Sequence, residues 1–395
     1  MEKGALEGVR VLDLGRVLSA PLCATMLGDM GAEVIKVEQP EKGDDSRNFT
    51  PRRNDVSTYY INMNRSKRGI TLDLKKGKEI FLQMVKEVDV VIENFRPGVM
   101  KKLGLDYEEL RKVNPRIIYA AISGFGQTGP YAQRAGYDTM AQAMSGIMSV
   151  TGWPGGEPTR AGASVADVMG GMQAVIGILA ALRHRDATGR GQMIDVSLVD
   201  VSIVGMCSVN QVYLTTGQVP ERMGNSYVSS APGGGYHTKD GYFIMNGSAP
   251  KFWAILCEAM NRPDLVEDPL YATNSLRVKN KVELNKIVEA WTRSMNTDEI
   301  IELLLPKGFA VAPVLTLDKV VADPHIGGVR NMFPEIDHPQ VGKIKVTNSG
   351  MKMSETNPKI KCRSPLLGEH NEEIYTNVFS YDEKQLKKFK EEGII

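Results

Sequence analysis

Apolar residues in the first half of the chain come in short blocks that switch between two periods. Residues 9–14 (VRVLDL) are nearly continuous in apolar character and predict a buried strand; 21–30 predicts a helix with Pro21 in its first turn. The same alternation continues with a strand at 32–38, a helix near 78–88, a strand at 89–94, a short helix at 106–113 and a strand at 116–123. Strands separated by helices predict a parallel sheet with right-handed crossovers, so this half is Rossmann-like. The glycine-rich run 124–136 leaves the sheet as a loop. Helices at 138–150 and 167–185, a strand at 193–197 and a helix to about 215 follow.

A glycine- and serine-rich stretch at 224–235 marks a boundary. Beyond it, YHTKDGYFIMNG opens a mixed region as a hairpin, amphipathic helices continue it, and a tail with a strand (KIKVTN) and two helices closes the chain. The expected class is α/β. A large Rossmann-like domain with a linker helix spans 1–223, a smaller α+β domain spans 224–335, and 336–395 returns to the large domain. No internal repeat or low-complexity tract is found.

Composition narrows the function by exclusion. Lys+Arg number 48 against 47 Asp+Glu, which lacks the basic excess usual in nucleic-acid binding. The four cysteines are far apart and fit no metal or redox spacing, and the five histidines have no ligand spacing, so no metal is expected. No signal-peptide core opens the sequence, and the longest apolar run, 174–182, is short for a bilayer. A cytoplasmic protein without membrane or nucleic-acid partners is expected. The turn after the first strand carries only Gly15, where a dinucleotide fingerprint needs more glycines, although Glu38 stands where a ribose-binding acid would.

Three features could carry chemistry. Asp167 opens a long apolar helix among small residues, Gly162, Ala163, Ser164, Gly170 and Gly171. It reads either as a helix N-cap or as a nucleophile, kept ionised by the helix N-terminus and open to a bulky acyl substrate. The segments 64–69 (NRSKRG), 93–98 (ENFRPG), Lys75 and Lys101–Lys102 border strand ends. They are either solvated surface or phosphate contacts, since open parallel sheets bind ligands at the carboxyl ends of their strands. Gly233, Gly234 and Gly235 are either an interdomain turn or a mobile loop that shields a reactive intermediate from water.

Several long motifs stand together in order: LEGVRVLDLGRVLSAP, LGDMGAEVIKVEQP, NRSKRGITLDLK, VVIENFRPGVMKKLGLDYEEL, GFGQTGPYAQRAGYD, SVADVMGGMQAVIGILAALRHRDATGRGQMIDVSLVD and SPLLGEHNEEI. Through them the chain resembles class III CoA-transferases, the group of formyl-CoA transferase and the carnitine and bile-acid CoA-transferases. The resemblance implies that Asp167 attacks an acyl-CoA thioester and passes through an aspartyl anhydride and an aspartyl-CoA thioester. CoA is then a substrate and no group is permanently bound. By position the resemblance puts CoA contacts at Val17, Leu18, Leu72, Lys75, Asn94, Phe95, Arg96, Lys102, Arg134 and Tyr137. It also implies two identical subunits interlocked as rings.

Two departures matter. Gln39 and Lys102 replace arginines of the formyl enzyme, and lysine lacks the planar fork. Leu18 replaces its polar glutamine, which argues against oxalate and formate as substrates. Racemases of 2-methylacyl-CoA esters share the fold but use a histidine in AGHD, which here reads Ala135-Gly136-Tyr137-Asp138. A phenol is a poor base at neutral pH, which favours transferase over racemase. A non-catalytic acyl-CoA-binding protein would need neither Asp167 nor the glycines.

Overall fold

A computed structural model describes residues 3–395. It divides into two compact units. The first runs to Met148, resumes over Arg160–Gln218 and returns over Pro324–Ile395; the second comprises Ser149–Thr159 and Val219–Asp323.

The first unit is built on six parallel strands: β1 (Arg10–Asp13), β2 (Glu33–Glu38), β3 (Arg68–Thr71), β4 (Val90–Glu93), β5 (Ile118–Ser123) and β6 (Met193–Ser197). Their spatial order is β3-β2-β1-β4-β5-β6. The chain builds outward from β1 in one direction, then restarts on its other side at β4, paired Val11 with Val90. Such a reversal leaves a crevice beyond the carboxyl ends of the two central strands, where crossovers leave in opposite directions. Apolar side chains on the two sheet faces form separate cores. One gathers Val11, Val90 and Ile118 with the helix Val165–Thr188. The other gathers Leu12, Val91 and Tyr119 with Ile374, Tyr375 and Leu386 of the tail. The tail is tied to β3 by polar contacts as well, Asn371 Oδ1 accepting from the Thr71 N–H at 2.8 Å.

Strand β3 begins at the end of the NRSKRG segment, which read from sequence as either solvated surface or phosphate contacts. Arg65 and Lys67 face inward and are neutralised there, by Asp29 at 2.8 Å and Asp13 at 2.7 Å. Neither is available to phosphate. The predicted helix 138–150 breaks at Gly146 (φ +98°), and the helix expected after β6 breaks at Cys207, dividing into Leu198–Gly205 and Ser208–Thr216. The helix Val165–Thr188 is longer than the uninterrupted apolar run within it. Among the described residues it alone is long and apolar enough, as a single helix, to cross a membrane. One of its faces, including Gly171, Ala174 and Ile178, lies in the core.

The second unit packs helices on a three-stranded antiparallel sheet, Ala310–Pro313, Tyr242–Asn246 and Gly233–His237. Gly233, Gly234 and Gly235 are therefore strand residues and not a loop, Gly234 pairing with Met245. Packing within the unit accounts for their lack of side chains. A Cβ on Gly234 would lie 2.2 Å from the Asn225 carbonyl oxygen, and one on Gly235 would lie 2.1 Å from the Tyr242 hydroxyl.

Candidate active site

The crevice at the strand reversal is a cleft of about 570 Å³. Three chain segments shape it. The turn after β1 supplies Arg16, Val17, Leu18 and Ser19. The turn after β4 supplies Asn94, Phe95 and Arg96. The segment after β5 supplies Gly124, Arg134, Gly136 and Tyr137. Asp167 forms part of the wall, on the first turn of the Val165–Thr188 helix. Eight of the residues predicted as site or CoA contacts thus meet in one cavity.

Leu72 and Lys75 line a neighbouring cavity of about 210 Å³, which shares Arg16, Phe95 and Val99 with the cleft. Leu72 is fully packed and donates its N–H to the Glu38 carbonyl, so its side chain forms wall. Lys75 is exposed at the rim. Lys102 lies exposed on the helix Val99–Leu103 and lines neither cavity, although Val99 and Leu103 do. Glu38, the residue at the ribose-binding position, is engaged within the fold. Both of its oxygens accept from Arg47 at 2.7 Å, and Tyr60 and the Asp44 N–H add further bonds.

Asp167 is not the cap of its helix. The helix begins two residues earlier, with Ser164 at the N-cap position and no cap from its side chain. The exposed N–H groups turn instead to Asp138, whose Oδ1 accepts from Ala166 at 2.9 Å and Asp167 at 3.4 Å. Gln142 steadies the other oxygen of Asp138 at 2.7 Å. This second acid does the capping, and the Asp167 side chain takes no part in it.

The helix N-terminus was expected to keep Asp167 ionised at neutral pH. Its pKa is pushed up to about 6, first by burial and then by the like charge of Asp138, with Ser19 opposing both. No ion pair to Asp167 occurs among the described residues. An acid with that pKa is still largely ionised at neutral pH and more basic than an ordinary aspartate, the balance wanted in a nucleophile.

Ser19, Asp138, Arg16 and Phe49 were not singled out from sequence. Asp138 was legible as the last residue of the AGYD motif; Ser19 and Phe49 depend on folding for their place. Tyr137, where the racemase pattern has histidine, is 66% exposed at the cleft. Among the described residues no group of acids, histidines and cysteines is placed to hold a metal.

The model of CoA-transferase family III matches residues 6–371. The succinyl-CoA:glutarate CoA-transferase of Mus musculus is 39% identical, over 99% of this chain and 90% of that protein. The succinyl-CoA:mesaconate CoA-transferase of Haloarcula hispanica is also 39% identical, over 94% of this chain and 96% of that protein. The crystal structure of a CAIB/BAIF family protein from Brucella suis superposes with a TM-score of 0.87 at 38% identity, covering 96% of this chain and 100% of that one. Sequence order, sheet topology and the cleft thus converge: the chain belongs to CoA-transferase family III and is an enzyme of the CoA-transferase type.

Proposed function

We propose that this enzyme moves CoA between two carboxylic acids with Asp167 as its nucleophile. The observation that carries the reading is the placement of a basic, cation-free carboxylate in the wall of a cleft bordered by the β1 and β4 turns. A carboxylate oxygen attacks the thioester carbonyl, the C–S bond breaks, and CoA thiolate leaves an aspartyl anhydride. The thiolate attacks the aspartyl carbonyl and releases the donor acid, which gives an aspartyl-CoA thioester. The acceptor carboxylate attacks that thioester and expels the thiolate. Attack of the thiolate on the acceptor's acyl carbon then forms the new acyl-CoA and frees Asp167. No proton need move, and each step exchanges one activated acyl bond for another.

The names of the relatives support succinyl-CoA as donor and a short dicarboxylic acid as acceptor. Arg96 and Arg134 offer the cleft cations for a second carboxylate and for CoA phosphates, whereas Arg16 is paired with Asp45 at 2.6 Å. Leu18 supplies an apolar wall, in keeping with a substrate longer than oxalate. Val17, Leu18, Asn94, Phe95, Arg96, Arg134 and Tyr137 are the contacts proposed for CoA in the cleft, Leu72 and Lys75 in the adjoining cavity, with Lys102 outside both as a phosphate contact. The assembly proposed is an interlocked homodimer; exposed Met172, Ile176, Val204 and Leu214 leave the first unit an apolar face that a second copy would cover.

The test is direct trapping. Wild-type enzyme incubated with succinyl-CoA and hydroxylamine should yield a hydroxamate at Asp167, located by peptide mass spectrometry. Asp167→Ala should lose transfer by about 10³-fold or more, the scale of losing a covalent catalyst. Transfer retained in that variant rejects the mechanism.

A further inference from the structure

The start of the turn, from Gly15 to Val17, is held by side chains at five of its six polar backbone groups. Asp13 Oδ1 accepts from the Gly15 N–H at 2.8 Å, and Lys36 donates to the Gly15 carbonyl at 2.6 Å. Asn94 accepts from the Arg16 N–H and donates to its carbonyl, both at 2.8 Å. Asp44 Oδ1 accepts from the Val17 N–H at 3.1 Å. Val17 needs this restraint. Its φ is +65°, a region that a β-branched residue enters only when its surroundings impose it.

Asp44 is itself fixed from behind. Its Oδ1 also takes the Ser46 N–H and hydroxyl at 2.8 Å each, and its Oδ2 lies 2.9 Å from the Lys36 ammonium. The Lys36 and Asp44 side chains are 0% and 1% exposed. Burial opposes ionisation of Asp44, but Lys36 and the Ser46 contacts outweigh it and hold the carboxyl well below the ordinary range. A buried ion pair is a costly way to fill space, and an apolar pair of similar volume often packs as stably. Here one pair reaches two points of a single turn, Gly15 through the lysine and Val17 through the aspartate. The far end of that turn lies beside the reacting group: Ser19 lines the cleft together with Asp167, and its hydroxyl lowers the pKa of that acid. Its backbone is seated against the same helix, where a Cβ on Gly171 would stand 2.7 Å from the Ser19 carbonyl oxygen.

We propose that Asp44, backed by Lys36, is a positioning residue for CoA transfer: it holds Val17 in its left-handed conformation and thereby sets Leu18 and Ser19 against Asp167. The proposal rests on the reading of Asp167 as the nucleophile. Asp44 touches no reacting atom in this scheme; it acts through the turn.

The experiment compares wild type, Asp44→Ala, Asp44→Asn and the double variant Asp44→Ala with Val17→Gly, each also with a thermal midpoint. Readouts are the rate of aspartyl-adduct formation from succinyl-CoA, kcat, and KM for succinyl-CoA. Asp44→Ala should slow adduct formation and kcat by about 10- to 100-fold, the cost of misplacing a reacting group by an ångström or so, with a smaller change in KM. Asp44→Asn keeps the shape and one of the two ties, so it should fall between, and it carries the comparison if the alanine variant does not fold. Glycine reaches φ near +65° without a clamp, so Val17→Gly should recover about tenfold or more of the lost kcat. A residue that only stabilised the fold would not be rescued this way, since glycine adds chain entropy to the unfolded state. Wild-type rates in both Asp44 variants, or a loss that Val17→Gly leaves intact, overturn the proposal. If wild type yields no Asp167 adduct, the nucleophile reading fails, and the kcat pattern across the same variants still decides the positioning role.

Discussion

Two aspartates in the first unit are both largely withdrawn from water and have opposite characters. Asp167 lies against a like charge, Asp138, and its pKa rises to about 6. Asp44 lies 2.9 Å from Lys36, and its pKa falls below the usual carboxylate range. Burial pushes both upward, so burial does not decide the outcome; the partner does. A carboxylate with a buried cation is stabilised as an anion and becomes a poor nucleophile and a good structural anchor. One denied a cation keeps its electron pair available. On the proposed mechanism, the fold makes one residue type into a reagent at the cleft and into a fixture behind it.

The contrast can be broken most forcibly at Lys36. Lys36→Met removes the cation of Asp44 and the donor to the Gly15 carbonyl while roughly keeping side-chain length. Removing one partner of a buried pair strands the other, so the urea midpoint should drop by the equivalent of about 3–5 kcal/mol. Adding Asp44→Asn should restore part of that loss, because the stranded charge is then gone. A loss under about 1 kcal/mol would class the pair with weak surface bridges and remove the distinction between the two acids.

pH separates them next. The proposed nucleophile Asp167 would have to be ionised to attack, so kcat/KM should be full above neutrality, half-maximal near pH 6, and fall about tenfold per unit below. Asp44 has a depressed pKa, so its contribution to stability is present above the ordinary carboxylate range and is lost only as pH falls through and below it. Between pH 5 and 6 the enzyme should therefore lose activity with its fold intact and regain it on return to neutral pH. Asp138→Asn removes the like charge and should move the midpoint downward. A profile flat to pH 5 contradicts the raised pKa of Asp167.

Much of this arrangement was legible before folding. Five of the six sheet strands stand out as apolar blocks, because a strand buried on both faces leaves nearly continuous hydrophobic sequence. Strand β3 did not, since RGIT is flanked by Asn64, Arg65 and Lys67. Those residues read as surface or phosphate contacts until Asp29 and Asp13, distant in sequence, are brought beside them. The same limit hid Asp44 and Ser19. Asp167 was visible because small residues and an apolar helix surround it locally; its pKa was not, because Asp138 lies 29 positions away. The glycines at 233–235 misled for a related reason. Their lack of side chains answers to Asn225 and Tyr242 across the sheet, which local composition cannot show.

The finest test of the contrast uses stability alone. The folded-state pKa of Asp167 is raised from 3.8 to about 6, so the fold binds that proton more tightly than the unfolded chain does. Its stabilising contribution is then fully present below the unfolded value and disappears as pH rises through 6. At neutral pH the ionised side chain weighs against folding. Two pKa units set an upper bound near 3 kcal/mol, and a side chain in the wall of an open cleft should show about 1–2 kcal/mol of it. Asp167→Asn should therefore be more stable than wild type by that amount at pH 7.5, with the gain shrinking toward pH 5. Asp44→Asn should be less stable than wild type at both. Urea midpoints at the two pH values measure all four quantities. If Asp167→Asn gains nothing at pH 7.5, the nucleophile is not an electrostatically strained acid, and the cleft must draw its reactivity from positioning rather than from charge.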